Sequence, residues 1–326
     1  MKAAVFADVG RLAVEDRPEP RLGAADEVVL EIEACGICGT DLQILTDPPG
    51  HPATVGVVLG HEMVGIVAEA GDAVRSLRAG DRVVVAPNLW CGECAFCRRG
   101  LRNQCEFGTT YGIFVDGGLA PRIAVKAKAC FPIARDLPAH LAALAEPLST
   151  VVHGARQAAV FPGETAVVLG AGPIGAFFCA LLDAAGANVV VVEPTPERAR
   201  LARAMGAVEV VAPGETLGLE PEVVVDAVGS QLGTALELVA RGGRVLLFGM
   251  NERARAEVVQ SHVTRDEVTI VGSYVGQDVF PDAIRLLEQG RIDFSPIVTH
   301  RVALDELPGA IDELRSGRAL KVEVEF

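Results

Sequence analysis

The pattern of apolar and polar positions changes partway along the chain. Up to about residue 143 the apolar stretches are short, β-branched and bounded by Gly, Pro or Asp, as in "EVVLEIEA", "VGIVAEAG" and "DRVVVAP". Such regularly spaced short strands predict a β-barrel or β-sandwich. From about residue 165 to residue 275, wholly apolar strands alternate with Ala- and Leu-rich helical segments, as in "TAVVLGAG", "PIGAFFCALLDAAG" and "ANVVVVEP". This alternation predicts a parallel sheet with helices on both faces.

The segment after residue 275 mixes a helical pattern with short strands and is too small to form a domain by itself. We therefore expect it to pack back on the first part of the chain. A chain of 326 residues, half of them apolar, also favours two hydrophobic cores over one. The predicted domains are residues 1–143 with 276–326, and residues 144–275.

The net charge limits the kinds of binding partner, and the lengths of the apolar segments limit the cellular compartment. A formal charge of −14 argues against nucleic acid or an anionic membrane, because phosphate groups would be repelled. No uncharged apolar segment is long enough to span a bilayer, and the opening "MKAAVFADVG" lacks the apolar run of a signal peptide. We expect a cytoplasmic protein, in which thiols stay reduced.

Half of the eight cysteines fall within one short polar stretch, "LWCGECAFCRRGLRNQCE". A disulfide staple and a metal site are the two alternatives. Disulfides need an oxidising compartment, and cysteines two residues apart are poorly placed to pair with each other. Four thiolates with this spacing can instead converge on one ion, as in structural zinc sites. The spacing predicts a zinc lobe over about residues 88–107, held by Cys91, Cys94, Cys97 and Cys105.

The stretch "VVLGAGPIG" has the G-x-G-x-x-G spacing of a dinucleotide-binding loop, with Gly170, Gly172 and Gly175. The spacing alone is weak, and a βα turn that merely needs glycine is the alternative. The context is stronger, because a buried-type strand precedes the loop, a helix follows it and Glu193 ends the next strand. A carboxylate there accepts hydrogen bonds from ribose hydroxyls and repels a 2′-phosphate, so we expect NAD rather than NADP. Arg198 is a candidate for the adenine side, although a solvated helix residue explains it equally well.

Further metal-binding side chains are scattered along the chain, in "EACGICGTD", "VLGHEMVG" and "LAEPLSTVVHG". A catalytic zinc takes three protein ligands and keeps one position open. A Cys, a His and a carboxylate from separate segments would meet that need. Alternatives exist for each residue: a lone Cys is usually buried filler, a Glu before Pro often begins a helix, and Cys35 with Cys38 could form a redox pair.

Taken together, these motifs resemble the zinc-dependent medium-chain alcohol dehydrogenases. The motifs "GICGTD", "GHEMVG", "AGDRVVVAP", the four-cysteine lobe, "EPLST" and "GAGPIG" occur in that family's order along essentially the whole chain. The chain looks closest to the polyol and sugar (sorbitol-dehydrogenase-like) branch, because Glu146 stands where classical alcohol dehydrogenases carry a Cys. The resemblance implies a GroES-like β-rich catalytic domain, interrupted by a Rossmann domain with a doubly wound parallel sheet.

The resemblance also implies roles for individual residues. The catalytic zinc would be held by Cys38, His61 and Glu146, with Glu62 as an alternate ligand, and Thr40 would take the alcohol proton. Where the family commonly has a His to end the proton relay, this chain has Gln43, which does not titrate near neutral pH. The residues expected to bind the cofactor are Thr150, Gly170, Gly172, Pro173, Ile174, Gly175, Glu193, Arg198, Val228, Phe248, Gly249, Gly272 and Ser273.

The sequence therefore predicts an oxidoreductase with two zinc ions per chain, one catalytic and one structural. It would pass hydride from a secondary alcohol of a polyol, sugar or (amino)cyclitol to NAD. Simple alcohols or an amino alcohol such as threonine are alternative substrates, and a non-catalytic dinucleotide sensor is an alternative of another class. Relatives assemble through the edge of the nucleotide-binding sheet, so we expect a homodimer or homotetramer, joined near "VTIVGSYV".

Overall fold

The computed structural model describes residues 1–326. It divides into two compact units, each built from more than one segment. The first comprises Met1–Pro147, Phe280–Arg291 and Val298–Phe326, and the second comprises Leu148–Val279 and Ile292–Ile297.

The boundaries between these units lie within a few residues of the predicted domain boundaries. One short segment is grouped differently. Residues 292–297 were expected to belong with the first unit, and the structure groups them with the second. The reason is aromatic packing, because the Phe294 and Phe177 rings have centroids 5.5 Å apart and both side chains are buried.

The first unit begins with strands that are mostly short. They are β1 (Lys2–Asp8), β2 (Arg11–Asp16), β3 (Glu27–Gly36), β4 (Glu62–Ala70), β5 (Arg82–Val85), β6 (Asn88–Leu89), β7 (Thr109–Thr110), β8 (Arg122–Lys126) and β9 (Cys130–Pro132). Three short helices lie among and after them: α1 (Gly39–Ile44), α2 (Ala95–Arg98) and α3 (Ala139–Ala142). Single 3₁₀ turns cover Arg102–Gln104 and Ala127–Ala129.

The second unit alternates helices and strands. Its helices are α4 (Ala145–Ala158), which begins in the first unit, α5 (Pro173–Ala184), α6 (Pro196–Ala204), α7 (Leu232–Leu238) and α8 (Gln260–Arg265). Its strands are β10 (Thr165–Leu169), β11 (Asn188–Val192), β12 (Glu209–Val211), β13 (Val223–Asp226), β14 (Arg244–Leu247) and β15 (Thr269–Gly272).

The remaining elements are α9 (Phe280–Gln289), the 3₁₀ turn Ser295–Ile297, β16 (His300–Ala303), the 3₁₀ turn Leu304–Glu306, α10 (Leu307–Arg315) and β17 (Val322–Glu325). Apart from Ser295–Ile297 they belong to the first unit. None of the helices combines the length and the apolar character needed to cross a membrane.

The main sheet of the first unit has seven strands. Its order is β16-β17-β3-β4-β5-β9, with β8 also paired to β3, and two-stranded sheets β1-β2 and β6-β7 accompany it. The tail strand β17 pairs antiparallel with β3, which in turn pairs antiparallel with β4. The end of β3 therefore lies between the end of the chain and the beginning of β4, where the candidate metal ligands are found.

The sheet of the second unit is parallel throughout, in the order β12-β11-β10-β13-β14-β15. Its central strands carry Val on both faces, and Val167, Val224 and Val245 are fully buried. This is the doubly wound pattern that the wholly apolar strands predict. The predicted fold class, a β-rich unit combined with a parallel α/β unit, is confirmed.

Candidate functional site

The four cysteines of the lobe lie close together and are not disulfide-bonded. Their sulfur atoms are 3.6 Å apart for Cys91 and Cys105, and 4.0 Å apart for both Cys91–Cys97 and Cys94–Cys105. Zn–S bonds of about 2.3 Å in a tetrahedron place the sulfurs about 3.8 Å from one another. A disulfide would need about 2.05 Å. The cluster therefore fits a closed structural zinc site.

The backbone around the lobe favours thiolates. The N–H groups of Glu93 and Cys94 donate to Cys91 Sγ at 3.3 Å, and Cys97 N–H donates to Cys94 Sγ at 3.5 Å. These bonds lower the pKa of Cys91, and the one from Cys97 leads those that lower the pKa of Cys94 to about 6. Burial raises the pKa of Cys97 to about 12, because it disfavours the charged thiolate. A cation bound in the cluster would offset this cost of burying the thiolate.

A second cluster brings together Cys38, His61 and Glu62, whose ligand atoms all lie within 4.8 Å of one another. Cys38 is the N-cap of α1, immediately after β3, and His61 and Glu62 stand at the start of β4. β3 and β4 are antiparallel neighbours with Gly36 opposite Glu62. Their pairing therefore brings the three side chains together where β3 ends and β4 begins. The hydroxyl of Thr40 lies 3.7 Å from Cys38 Sγ.

Asp41 supports this cluster, although the sequence reasoning overlooked it. One carboxylate oxygen accepts the N–H of Cys38 at 2.8 Å, and the other lies 3.6 Å from His61 Nδ1. Burial would lower the pKa of His61, but the charges of Asp41 and Cys38 raise it well above its usual value. An acid three residues after an N-cap is the capping-box pattern, so the "CGTD" motif contained a detectable signal. A carboxylate behind a metal-binding His is a common orienting group.

Glu62 is held by a buried lysine, Lys321, which the sequence reasoning also missed. Lys321 Nζ donates to Glu62 Oε2 and, at 3.1 Å, to the carbonyl of Ile37. Lys321 and Glu62 are almost fully buried, and so is Glu323, neither of whose carboxylate oxygens has a hydrogen-bond partner. Gly36 makes room for this group, because a Cβ there would lie 3.0 Å from both Lys321 Nζ and Glu323 Oε1.

Glu146 lies in the first turn of α4 and is also buried. Burial raises its pKa to about 7, while the charge of His61 acts to lower it. It remains outside the group of three whose ligand atoms lie within 4.8 Å. The structure thus gathers Cys38, His61 and Glu62, and leaves Glu146 close enough to interact electrostatically with His61. Gln43, on α1, is exposed.

The glycine loop of the second unit has the geometry of a phosphate cradle. Gly170 has φ = +91°, and a Cβ at Gly175 would lie 2.0 Å from the Gly170 carbonyl oxygen, so both positions require glycine. Gly172 caps α5, and no atom lies within 4 Å of where its Cβ would be. Pro173 begins the helix and Ile174 follows it. The N-terminus of α5 therefore faces open space that a pyrophosphate can enter.

Glu193, directly after β11, is tied to this loop. Its carboxylate accepts the N–H of Ala171 and the N–H of Thr195, each at 2.8 Å, and the side chain is buried. Arg198 lies on α6, and its Nε is buried without a hydrogen-bond partner.

The other predicted cofactor residues lie mainly at the carboxyl ends of the parallel strands. Val228 follows β13, Phe248 and Gly249 follow β14, and Ser273 follows Gly272 at the end of β15. Thr150 lies on α4. Two observations fit a ligand at this edge: the hydroxyl of Ser273 is buried without a partner, and Val228 is 49% exposed although apolar. Met250, which the sequence reasoning did not select, is 48% exposed at the same edge.

Comparisons with known proteins agree with this geometry. Residues 24–135 match the family described as the alcohol dehydrogenase GroES-like domain, and residues 173–289 match the zinc-binding dehydrogenase family. D-arabinitol dehydrogenase 1 of Uromyces fabae is 33% identical over 92% of this chain and 90% of its own. D-altritol 5-dehydrogenase of Agrobacterium fabrum is 36% identical over 94% of each chain. An alcohol dehydrogenase structure from Escherichia coli CFT073, in complex with NADH, superimposes with a TM-score of 0.93 at 28% identity, covering 100% of this chain and 99% of that one.

These matches confirm three predictions made from the motifs: the two-part fold, an oxidoreductase activity, and the use of zinc with a nicotinamide dinucleotide. The four-cysteine cluster agrees with a zinc ion in the lobe. The chain belongs to the zinc-binding alcohol dehydrogenase family.

Proposed function

We propose that this protein oxidises a secondary hydroxyl of a polyol, sugar or (amino)cyclitol to the ketone, with NAD as the hydride acceptor. The observation that carries the proposal is the cluster of the half-buried Cys38 with the buried His61 and Glu62, with Glu146 beside it. A mixed thiolate, imidazole and carboxylate set can hold zinc with a coordination position left open. The two relatives named above act on arabinitol and altritol, which are polyols.

The residues that would hold the catalytic zinc are Cys38 and His61, with Glu146 or Glu62 as the third ligand. When bound, zinc supplies a Lewis acid and NAD supplies the hydride acceptor. The carboxylate of Asp41 lies 3.6 Å from His61 Nδ1, close enough to orient the ring so that Nε2 would face the metal. Lys321 fixes the carboxylate of Glu62 and balances its charge.

Thr40 is the proposed first proton acceptor. Its Oγ1 lies 3.7 Å from Cys38 Sγ, next to the proposed metal ligands, where a substrate hydroxyl would have to bind. Because the amide of Gln43 does not titrate near neutral pH, it can order a proton relay without carrying the proton itself.

We infer that the cofactor is NAD in preference to NADP. The buried carboxylate of Glu193 stands beside the open glycine loop, and its negative charge would repel a 2′-phosphate. The lone pairs that remain after its two backbone contacts can accept hydrogen bonds from ribose hydroxyls.

We also propose a homodimer or homotetramer assembled through β15. This strand is at the edge of the parallel sheet, and its apolar Ile270 is 38% exposed. An exposed apolar edge strand invites pairing with a second copy.

The test is NAD reduction, followed by the absorbance of the NADH formed, across a panel of polyols, aminocyclitols, short alcohols and threonine. We expect turnover with at least one polyol or cyclitol and its loss in the Cys38→Ala variant. Cys130→Ala, which removes a buried cysteine outside both clusters, serves as the matched control and should retain turnover. Turnover with short alcohols or threonine alone would overturn the polyol assignment. NAD binding without turnover on any substrate would favour a sensor.

A further inference from the structure

Asp226, the last residue of β13, is a buried carboxylate whose only hydrogen-bond partners are backbone N–H groups. It is 2% exposed. Its Oδ1 accepts the N–H of Val228 at 3.0 Å and of Gly229 at 2.7 Å, and its Oδ2 accepts the N–H of Gln231 at 2.8 Å. No cation pairs with it, so these three donors alone compensate for its burial. All three belong to the loop between β13 and α7.

The main chain of Asp226 holds a second loop. Its carbonyl oxygen accepts the N–H of Phe248 at 3.1 Å and of Gly249 at 2.9 Å, both directly after β14. The two loops touch backbone to backbone, because a Cβ at Gly229 would lie 2.5 Å from the Gly249 carbonyl carbon. A Cβ at Gly249 would lie 2.2 Å from the Gly229 nitrogen. One residue thus fixes two adjacent loops at the carboxyl edge of the sheet.

These loops contain three of the residues expected to contact the cofactor: Val228, Phe248 and Gly249. The Asp226 side chain bonds no N–H group of a strand, so its hydrogen bonds are not part of the sheet ladder. Its three hydrogen bonds all go to the loop that follows β13, so the role of the side chain is to orient that loop. A surface formed before the ligand arrives binds more tightly, because no ordering cost is paid on binding.

We propose that Asp226 is a positioning residue that holds the 227–231 loop against residues 248–249 in the cofactor-binding conformation before NAD arrives. This rests on the proposed function, since it assumes that NAD binds at this edge. Asp226 does not itself touch the cofactor in this proposal. It acts through the loop that it shapes.

The test is Asp226→Asn, which keeps the shape of the side chain. An amide offers one accepting oxygen and one donating nitrogen, so it cannot accept all three N–H groups. We expect the NAD Kd, measured by calorimetry on the full-length protein, to rise at least tenfold. Hydrogen exchange in peptides covering 227–231 should accelerate in the NAD-free variant, while exchange in β13 and β10 stays slow.

The matched control is Glu222→Gln. Glu222 also accepts a backbone N–H, that of Thr165 at 2.8 Å, but at the amino edge of the same sheet. We expect its NAD Kd to stay within twofold of the wild-type value. If the NAD Kd rose equally in both variants, the loss of any carboxylate that accepts a backbone N–H would loosen the second unit. That result would overturn the proposal.

Wild-type affinity in Asp226→Asn, or unchanged exchange in its loop, would also overturn it. If the variant does not fold, hydrogen exchange of residues 227–231 in the wild-type protein tests the proposal instead. The proposal expects residues 227–231 to be protected without NAD, and protection that develops only when NAD is added would refute it. A wild-type protein that binds no NAD would instead overturn the proposed function, and with it the cofactor role of this loop.

Discussion

Lys321 donates a hydrogen bond to Glu62 across 259 positions of sequence, in a part of the molecule closed to solvent. Burial lowers the pKa of Lys321, but the charges of Glu62 and Glu323 outweigh it and raise the pKa above its usual value of 10.5. Burial also raises the pKa of Glu323 well above its usual value. The residue just before β17 therefore supplies the cation that balances the buried carboxylate of Glu62, one of the candidate zinc ligands.

Replacing Lys321 with Met should destabilise the protein severely. Removing one partner of a buried pair leaves the other charge uncompensated, which costs about 3–5 kcal/mol. We expect the free energy of unfolding, from urea denaturation, to fall by that amount. The double variant Lys321→Met/Glu62→Met should recover part of the loss, because it removes both charges.

The control is Lys2→Met, which breaks the solvent-exposed pair of Lys2 with Asp16. Its free energy of unfolding should remain near the wild-type value, because exposed ion pairs contribute little. A Lys321→Met protein as stable as the wild type would show that Glu62 does not depend on this lysine.

Replacing Cys94 with Ala should remove the zinc of the lobe and leave the catalytic one. Metal analysis should fall from two zinc ions per chain to one, in line with the two separate clusters. We expect the melting temperature to drop by about 5–10 °C, since losing a structural metal removes several kcal/mol of folding free energy. Turnover measured well below the melting temperature should persist. Cys179→Ala, a buried cysteine outside both clusters, should keep both ions, and an unchanged zinc content in Cys94→Ala would argue against the lobe site.

Replacing Glu193 with Gln should relax the preference for NAD. The change removes the charge that repels a 2′-phosphate while keeping the length of the side chain. We expect the ratio of kcat/KM for NADP to that for NAD to rise at least about tenfold, equivalent to 1.4 kcal/mol. Glu197→Gln, an exposed acid on α6, should leave the ratio unchanged. Wild-type protein that already prefers NADP would contradict the assignment of Glu193.

Replacing Glu164 with Gln should make stability less dependent on pH. Burial raises the pKa of Glu164, but the hydrogen bonds from Arg244 and the Phe161 N–H outweigh it and lower the pKa below its usual value of 4.5. The folded state therefore binds fewer protons than the unfolded state, so this stabilisation is present above about pH 4.5 and is lost as pH falls through the folded pKa.

At pH 7 we expect Glu164→Gln to lower the free energy of unfolding by about 1–2 kcal/mol. The gap from wild type should narrow as the pH is lowered below 4.5. Glu209→Gln, an exposed acid on β12, should show no gap at either pH. A gap that stays constant with pH would mean that packing, rather than charge, explains the loss.

The sequence by itself determined the features that are local in the chain. The four cysteines of the lobe fall within a short loop, so their spacing alone brings them together. The glycine loop is equally local: Gly170 and Gly175 are required by one turn and its helix, and that turn follows from the order of strand and helix. The alternation of apolar strands and helices likewise fixed the parallel sheet, because only wholly apolar strands can be covered on both faces.

Tertiary structure alone decided the partners that come from distant segments. Lys321 reaches Glu62 only because β17 pairs with β3 and β3 with β4, a pairing that no local pattern encodes. The approach of Asp41 to His61 and the contact between the Gly229 and Gly249 loops depend on the same kind of strand order. Sequence spacing fixes which side chains share a turn, whereas hydrogen-bonded register between strands determines which buried charges and loops meet across the fold.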